Sequence, residues 1–110
     1  MKKLLITEVD RGKTFEIQLG NLIVIQLPEN PTTGFRWKVQ EINGQLLSVQ
    51  RSNYSISSDS GVGGGGTRTF VLTTLKEGFT KVVLKLSQEW EPQTSANNFE
   101  VVIVINKLSY

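Results

Sequence analysis

The stretch "NLIVIQLPENPTTGFRWKVQEI", residues 21–42, decides the class of fold. It begins with an aliphatic, β-branched segment and ends with one in which apolar and polar residues alternate. In the second segment Phe35, Trp37 and Val39 fall on one face of a strand, and charged or amide side chains fall on the other. The asparagine, proline and glycine between the two segments are typical of a turn. The stretch therefore predicts two β-strands joined by a short loop.

The same kind of pattern recurs along the rest of the chain. Seven segments are rich in Val, Ile, Thr and aromatic residues, and most of them alternate: residues 13–19, 21–27, 35–42, 45–56, 68–75, 80–87 and 99–106. Glycine, asparagine and proline mark the intervals, and no stretch of ten or more residues has a 3.6-residue apolar period with helix caps. The sequence predicts an all-β fold, an antiparallel β-sandwich of seven or eight strands.

Composition limits the possible functions. The length of 110 residues is that of one hydrophobic core, so we expect a single domain over residues 1–110. The sequence has no cysteine and no histidine, which excludes thiol nucleophiles, Ser-His catalysis and the usual zinc sites. We therefore expect no enzyme activity, no metal and no cofactor. The formal net charge of +2 comes from dispersed cations, so we expect no nucleic-acid partner.

The N-terminal sequence predicts a cytoplasmic location. "MKKLLITEVD" has only three consecutive strongly apolar residues, too few for the apolar region of a secretory signal. No run of eighteen apolar residues occurs, so we expect no membrane partner. We expect a cytoplasmic protein that is a monomer when free, and delivery to a vesicle stays open.

The most distinctive segments are expected at one end of the sandwich. If successive strands alternate in direction, the loops over residues 28–34, 57–66 and 88–98 share an end. The connections at the opposite end are short turns built on Asn-Gly and Glu-Gly. Elaborated loops on one end of a rigid scaffold are typical of a binding surface.

Each of these loops has a plain and a functional interpretation. The glycine spacing in residues 61–69 matches a dinucleotide-binding motif, but a strand pattern follows it where that motif needs a helix. The run is therefore either a flexible loop or a backbone that another protein approaches closely. Trp90 either covers the edge of the core or anchors an interface, whereas Trp37 belongs to the core. Thr32 and Thr33, held between a proline and a glycine, make a stiff wedge suited to a groove.

Three motifs together resemble those of the chagasin family of cysteine-peptidase inhibitors. They are "NPTTGF" at residues 30–35 followed by a tryptophan, "GGGGT" at residues 63–67, and the loop that carries Trp90. The similarity extends over the whole chain in strand order and loop spacing. It implies an immunoglobulin-like β-sandwich whose three loops at one end block the cleft of papain-like, cathepsin-like peptidases reversibly and tightly.

The resemblance also implies the residues that contact the peptidase. They are Asn30, Pro31, Thr32, Thr33, Gly34 and Phe35 in the first loop, Gly63, Gly64, Gly65 and Gly66 in the second, and Gln88, Glu89 and Trp90 in the third. The first loop would enter the centre of the cleft, with Thr32 nearest the catalytic cysteine and histidine of the target. The second and third loops would lie along its two walls.

The third motif departs from the family pattern of Arg-Pro-Trp, because Gln88 and Glu89 stand in place of the arginine and proline. This change removes a positive charge and a rigid ring and adds a negative charge. We expect a target preference that disfavours enzymes with an acidic wall at this place. The alternative function is an immunoglobulin-like binding or adhesion module whose partner is not a peptidase.

Overall fold

The chain forms two four-stranded sheets. The computed structural model describes residues 2–56, 65–88, 90–91 and 97–107, and within these ranges the chain has eight strands. They are β1 (Lys3–Thr7), β2 (Thr14–Gln18), β3 (Leu22–Glu29), β4 (Phe35–Glu41), β5 (Leu47–Ile56), β6 (Gly66–Thr74), β7 (Gly78–Gln88) and β8 (Asn97–Asn106). The sheet orders are β1-β3-β6-β5 and β2-β8-β7-β4. The predicted all-β sandwich is confirmed, with the larger of the two expected strand numbers.

Seven of the eight strands coincide with predicted segments, with ends that differ by up to two residues. The strand that the sequence pattern did not indicate is β1, whose five residues "KLLIT" are too few to show a clear alternation. It pairs with β3 in parallel, and β2 pairs with β8 in parallel. The other four strand pairs are antiparallel. The N-terminal strands thus add a parallel edge to each otherwise antiparallel sheet.

The core lies between the inward faces of the two sheets. In β3 the burial alternates strictly from Ile23 to Glu29. The largest fully buried side chains are Phe99, Ile6, Ile23, Ile25, Leu27, Leu47, Leu72, Leu84, Ile103, Val82 and Val101. Burial of each such side chain contributes about 1.5 to 3 kcal/mol, which makes the sandwich a stiff support for its loops.

Two short 3₁₀ turns interrupt the strand pattern, at Glu8–Asp10 between β1 and β2 and at Pro31–Thr33 between β3 and β4. In the ranges that the structure covers, no helix has the length and apolar character needed to cross a bilayer.

Candidate functional site

Strand register brings the three distinctive loops together at one end of the sandwich. The first loop leaves β3 at Glu29, which pairs with Gly66 at the end of the glycine-rich second loop. It enters β4 at Phe35, which pairs with Gln88 at the start of the third loop. The described ends of the other two loops therefore flank the first loop, and the predicted common end is confirmed for the strand ends that carry the three loops.

The first loop is held by hydrogen bonds within itself. The side-chain oxygen Oδ1 of Asn30 accepts from the backbone N–H of Thr32 at 3.1 Å and from its hydroxyl at 2.7 Å. The carbonyl oxygen of Asn30 accepts from the N–H of Thr33 at 3.2 Å and from its hydroxyl at 2.7 Å. Both threonines are exposed at the tip of the loop. The stiffness predicted from β-branching thus has a second source, because four bonds converge on Asn30.

Gly34 closes the first loop in a conformation that other residues avoid. Its φ is +80°, in the left-handed region where a Cβ atom clashes with the backbone. The indole ring of Trp90, from the third loop, lies against the bare Cα of Gly34. A Cβ atom at this position would fall only 2.7 Å from Cζ3 of that ring. Glycine is therefore required here both by the turn and by the contact between two loops.

Trp90 is exposed over 66% of its surface and contacts the first loop at Gly34. This contact was not predicted, because the sequence separates the two residues by 56 positions. The third loop begins with a turn in which the N–H of Glu91 donates to the carbonyl of Gln88 at 3.2 Å. Glu89 lies outside the described residues. An exposed, rigid aromatic that rests on a neighbouring loop is suited to anchor an interface.

The described part of the second loop shows why its last glycines are needed. A Cβ atom on Gly65 would lie 2.9 Å from the carbonyl oxygen of Glu29, and one on Gly66 would overlap the carbonyl oxygen of Ser55. These two glycines therefore let the start of β6 pass close to both neighbouring strands. The predicted contact residues Gly63 and Gly64 lie outside the described residues.

A buried carboxylate joins the bases of the first and second loops. The side chain of Glu29 is 1% exposed and forms an ion pair with Arg68 of β6, with 2.8 Å between Nη2 and Oε2. The same carboxylate accepts the backbone N–H of Trp37, on β4 of the other sheet, at 2.8 Å. The indole N–H of Trp37 donates to the carbonyl of Pro28 at 2.9 Å. Trp37 is buried in the core, as predicted.

Sequence patterns did not single out Glu29 and Arg68, although the positions of both residues within their strands indicate that their side chains face inward. Glu29 continues the inward positions of β3 after Leu27, and Arg68 precedes the inward Phe70 of β6. Each is thus a charged residue at a core position of a strand, next to a loop. Opposite charges at such positions are expected to pair, because an unpaired buried charge is costly.

The third loop is also tethered where it returns to β8. The guanidinium of Arg11, between β1 and β2, donates from Nη1 to Oδ1 of Asn97 at 2.8 Å and to the carbonyl oxygen of Asn98. It also lies over the ring of Phe99, 5.7 Å from the centroid.

The neighbouring residue Asp10 has a perturbed pKa. The N–H of Thr7 donates to the carboxylate of Asp10, and this bond lowers the pKa of Asp10 below its ordinary value of 3.8.

The described parts of the three loops form a candidate binding surface. Among the described residues, no group of three acidic, histidine or cysteine side chains comes together as a metal site would require. Each of the three loops has a bracing contact within the described residues. The first loop touches Trp90, the base of the second is joined to the first by the ion pair between Arg68 and Glu29, and the return of the third is tethered by Arg11. Such a surface is suited to fit a groove of matching shape.

The family model for the chagasin family peptidase inhibitors, I42, matches residues 9–105 of the chain. Among curated proteins, chagasin of Trypanosoma cruzi is 30% identical over 106 residues, which cover 92% of this chain and 96% of chagasin.

Solved structures agree with this match. The cysteine protease inhibitor EhICP2 from Entamoeba histolytica has a TM-score of 0.88 and 28% identity, over 96% of this chain and 97% of its own. PbICP-C, solved in complex with falcipain-2, has a TM-score of 0.69 at 18% identity, over 96% of this chain and 100% of its own, which shows a shared fold. The family match spans most of the strands and all three loops. The chain is therefore a member of the chagasin family of peptidase inhibitors, I42.

Proposed function

We propose that this protein is a reversible, tight-binding inhibitor of papain-like cysteine peptidases, which blocks the active-site cleft with the three loops at one end of the sandwich. The observation that carries the proposal is the position and bracing of the first loop, between the other two and bonded on Asn30. Family membership supports the same function, since the matching model describes peptidase inhibitors.

In the proposed complex the first loop, residues 30–35, fills the centre of the cleft, and Thr32 lies nearest the catalytic cysteine and histidine of the peptidase. The bonds on Asn30 are already formed in the free protein, so little conformational freedom remains to be lost on binding. Ordering a side chain on binding costs about 0.5 to 1.5 kcal/mol, and a preformed loop avoids part of that cost.

The proposed inhibitor is not cleaved, because the loop does not present an extended chain to the nucleophile. The hydrogen bond from the N–H of Thr33 to the carbonyl of Asn30 closes a 3₁₀ turn. A chain closed into such a turn would not offer a carbonyl carbon at the geometry of attack. The absence of cysteine and histidine fits reversible, non-covalent binding by an inhibitor that carries neither of these reactive side chains.

In the proposed complex the glycine-rich loop, with Gly63 to Gly66, and the third loop, with Gln88, Glu89 and Trp90, cover the two walls of the cleft. Trp90 is the strongest candidate for an anchor, since most of its surface is available to a partner. The acidic residues beside it in the sequence favour a target whose wall is not acidic.

Substitution at the loop tip tests the proposed function. Thr32→Arg adds a long charged side chain to the part of the loop that must enter the cleft, so we expect inhibition of papain to weaken at least about a hundredfold. The free energy of unfolding should change by no more than about 1 kcal/mol, because Thr32 is exposed. The matched control is Phe79→Arg, which places the same side chain at an exposed position of the opposite end.

We expect Phe79→Arg to inhibit as the unsubstituted protein does. If the two arginine variants inhibit equally, the loop end is not the binding surface. If the unsubstituted protein inhibits no papain-like enzyme, the alternative of a binding module with another partner is favoured.

A further inference from the structure

The ion pair between Glu29 and Arg68 has a location that stability alone does not explain. Glu29 is 1% exposed and Arg68 is 13% exposed, and the guanidinium contacts both carboxylate oxygens through Nε and Nη2. Replacing a buried ion pair with well-packed apolar side chains is often neutral or stabilising, because desolvation offsets the attraction between the charges. We therefore expect the ion pair to matter more for the geometry that it imposes on the loops than for the free energy of folding.

That geometry links the two ends of the first loop to the second loop. Glu29 is the last residue of β3 before the loop, and its carboxylate binds the N–H of Trp37 two residues after the loop ends. Its other partner, Arg68, follows the end of the second loop by two residues. The guanidinium also reaches Ser52 on β5, with 3.5 Å between Nη1 and Oγ. A single carboxylate thus connects β3, β4 and β6, which belong to both sheets.

We propose that Glu29 is a positioning residue, which holds the first loop in the conformation and place needed to enter a peptidase cleft. This inference rests on the proposed inhibitory function. Without the carboxylate, the N–H of Trp37 and the guanidinium of Arg68 lose their shared acceptor, and the base of the loop can open. The loop then spends only part of its time in the competent arrangement.

Such a loss has a kinetic signature. Only molecules in the competent arrangement can bind. The apparent affinity is therefore the intrinsic affinity multiplied by the fraction of molecules in that arrangement, and the association rate constant falls by the same factor. Once the complex has formed, the peptidase holds the loop in the same place whether or not the carboxylate is present. The rate constant of dissociation should therefore change little.

The experiment uses Glu29→Met/Arg68→Met, which keeps apolar volume at both positions and removes every bond to the carboxylate. We expect its association rate constant with papain to fall about tenfold, as for a competent fraction of one in ten, with dissociation unchanged within about twofold. Glu29→Gln keeps an oxygen that can accept from Trp37, so its association rate constant should lie between those of the double variant and the unsubstituted protein. The control is Ile105→Ala, which removes a buried side chain from the opposite end of the sandwich.

Amide hydrogen exchange provides a second readout that needs no peptidase. The N–H groups of Thr32 and Thr33 are bonded to Asn30, and they should lose most of their protection from exchange in the double variant, in which only about one molecule in ten holds the competent arrangement. Ile105→Ala should lower the unfolding temperature while both the exchange at these amides and the association rate stay unchanged under folding conditions.

Unchanged exchange and unchanged association in the double variant would overturn the positioning role. Equal effects in Ile105→Ala, at a temperature where both proteins are folded, would do the same, because they would reduce Glu29 to a structural residue. Failure of the unsubstituted protein to inhibit would contradict the proposed function instead, and the exchange measurement would still decide whether Glu29 positions the loop.

Discussion

The contact between Gly34 and Trp90 allows a prediction that separates backbone strain from loop contact. Gly34 has a φ of +80°, and a residue with a Cβ atom costs about 1 to 2 kcal/mol in this region. In Gly34→Ala the new methyl group would also occupy the place of the Trp90 ring, which would have to move away. The substitution should therefore change both the stability and the shape of the loop end.

The size of the second effect follows from the burial of Trp90. The residue is 66% exposed, so about a third of a surface of roughly 250 Å² is covered, which is roughly 80 Å². At about 25 cal/mol per Å², displacing the ring costs up to about 2 kcal/mol. We expect Gly34→Ala to lower the free energy of unfolding by up to about 3 to 4 kcal/mol, more than strain alone, and to weaken inhibition.

The control is Gly20→Ala, at the opposite end of the sandwich. Gly20 also has a positive φ, +100°, but a Cβ atom there would meet no atom within 4 Å. Gly20→Ala should lower the free energy of unfolding by about 1 to 2 kcal/mol, and the variant should inhibit normally. Urea unfolding gives the free energies and titration of papain gives the inhibition. Equal losses of stability in the two variants, with inhibition intact in both, would refute the proposed contact between the loops.

Two further predictions concern the bonds that hold the loop end. Asn30→Ala removes the acceptor of two bonds from Thr32, and we expect inhibition to weaken about tenfold with a change in the free energy of unfolding of about 1 kcal/mol, measured by enzyme titration and urea unfolding; unchanged inhibition would contradict this role. The lowered pKa of Asp10 means that its carboxylate stabilises the fold above pH 4 and loses this effect as the pH falls through the folded-state pKa. The unfolding temperature of Asp10→Asn should therefore lie below that of the unsubstituted protein at pH 7 and approach it as the pH falls through the folded-state pKa of Asp10, whereas a constant difference would contradict the linkage.

The architecture was predictable because strand patterns are local. The aliphatic, β-branched run of β3 and the alternation within β4 identify both strands and the loop between them, and the alternation of strand directions places three loops at one end. The β1 strand was not predicted, since five residues carry too little pattern. Its parallel pairing with β3 depends on contacts between strands that no local pattern records.

The loops that form the site were predictable from the sequence, but the contacts that hold them in place were less so. Turn chemistry indicates why Asn30 and Gly34 occupy the first loop. The structure adds the hydrogen bonds on Asn30 and the contact between Gly34 and the ring of Trp90, which explain why other residues would not serve at these positions. The pairing of Glu29 with Arg68 joins positions that are far apart in the sequence. Such a contact is fixed by the packing of strands, so the sequence shows two inward-facing charges next to loops but does not show the register that brings them together.

Stoichiometric titration of papain with the pure protein shows whether the loop end blocks the cleft of a peptidase. The thiol reductant that keeps the peptidase active leaves this chain unchanged, because it contains no cysteine. At an enzyme concentration well above the dissociation constant, the account predicts that activity falls linearly to zero at one equivalent and that the inhibitor stays uncleaved. Full peptidase activity in the presence of micromolar protein would contradict it.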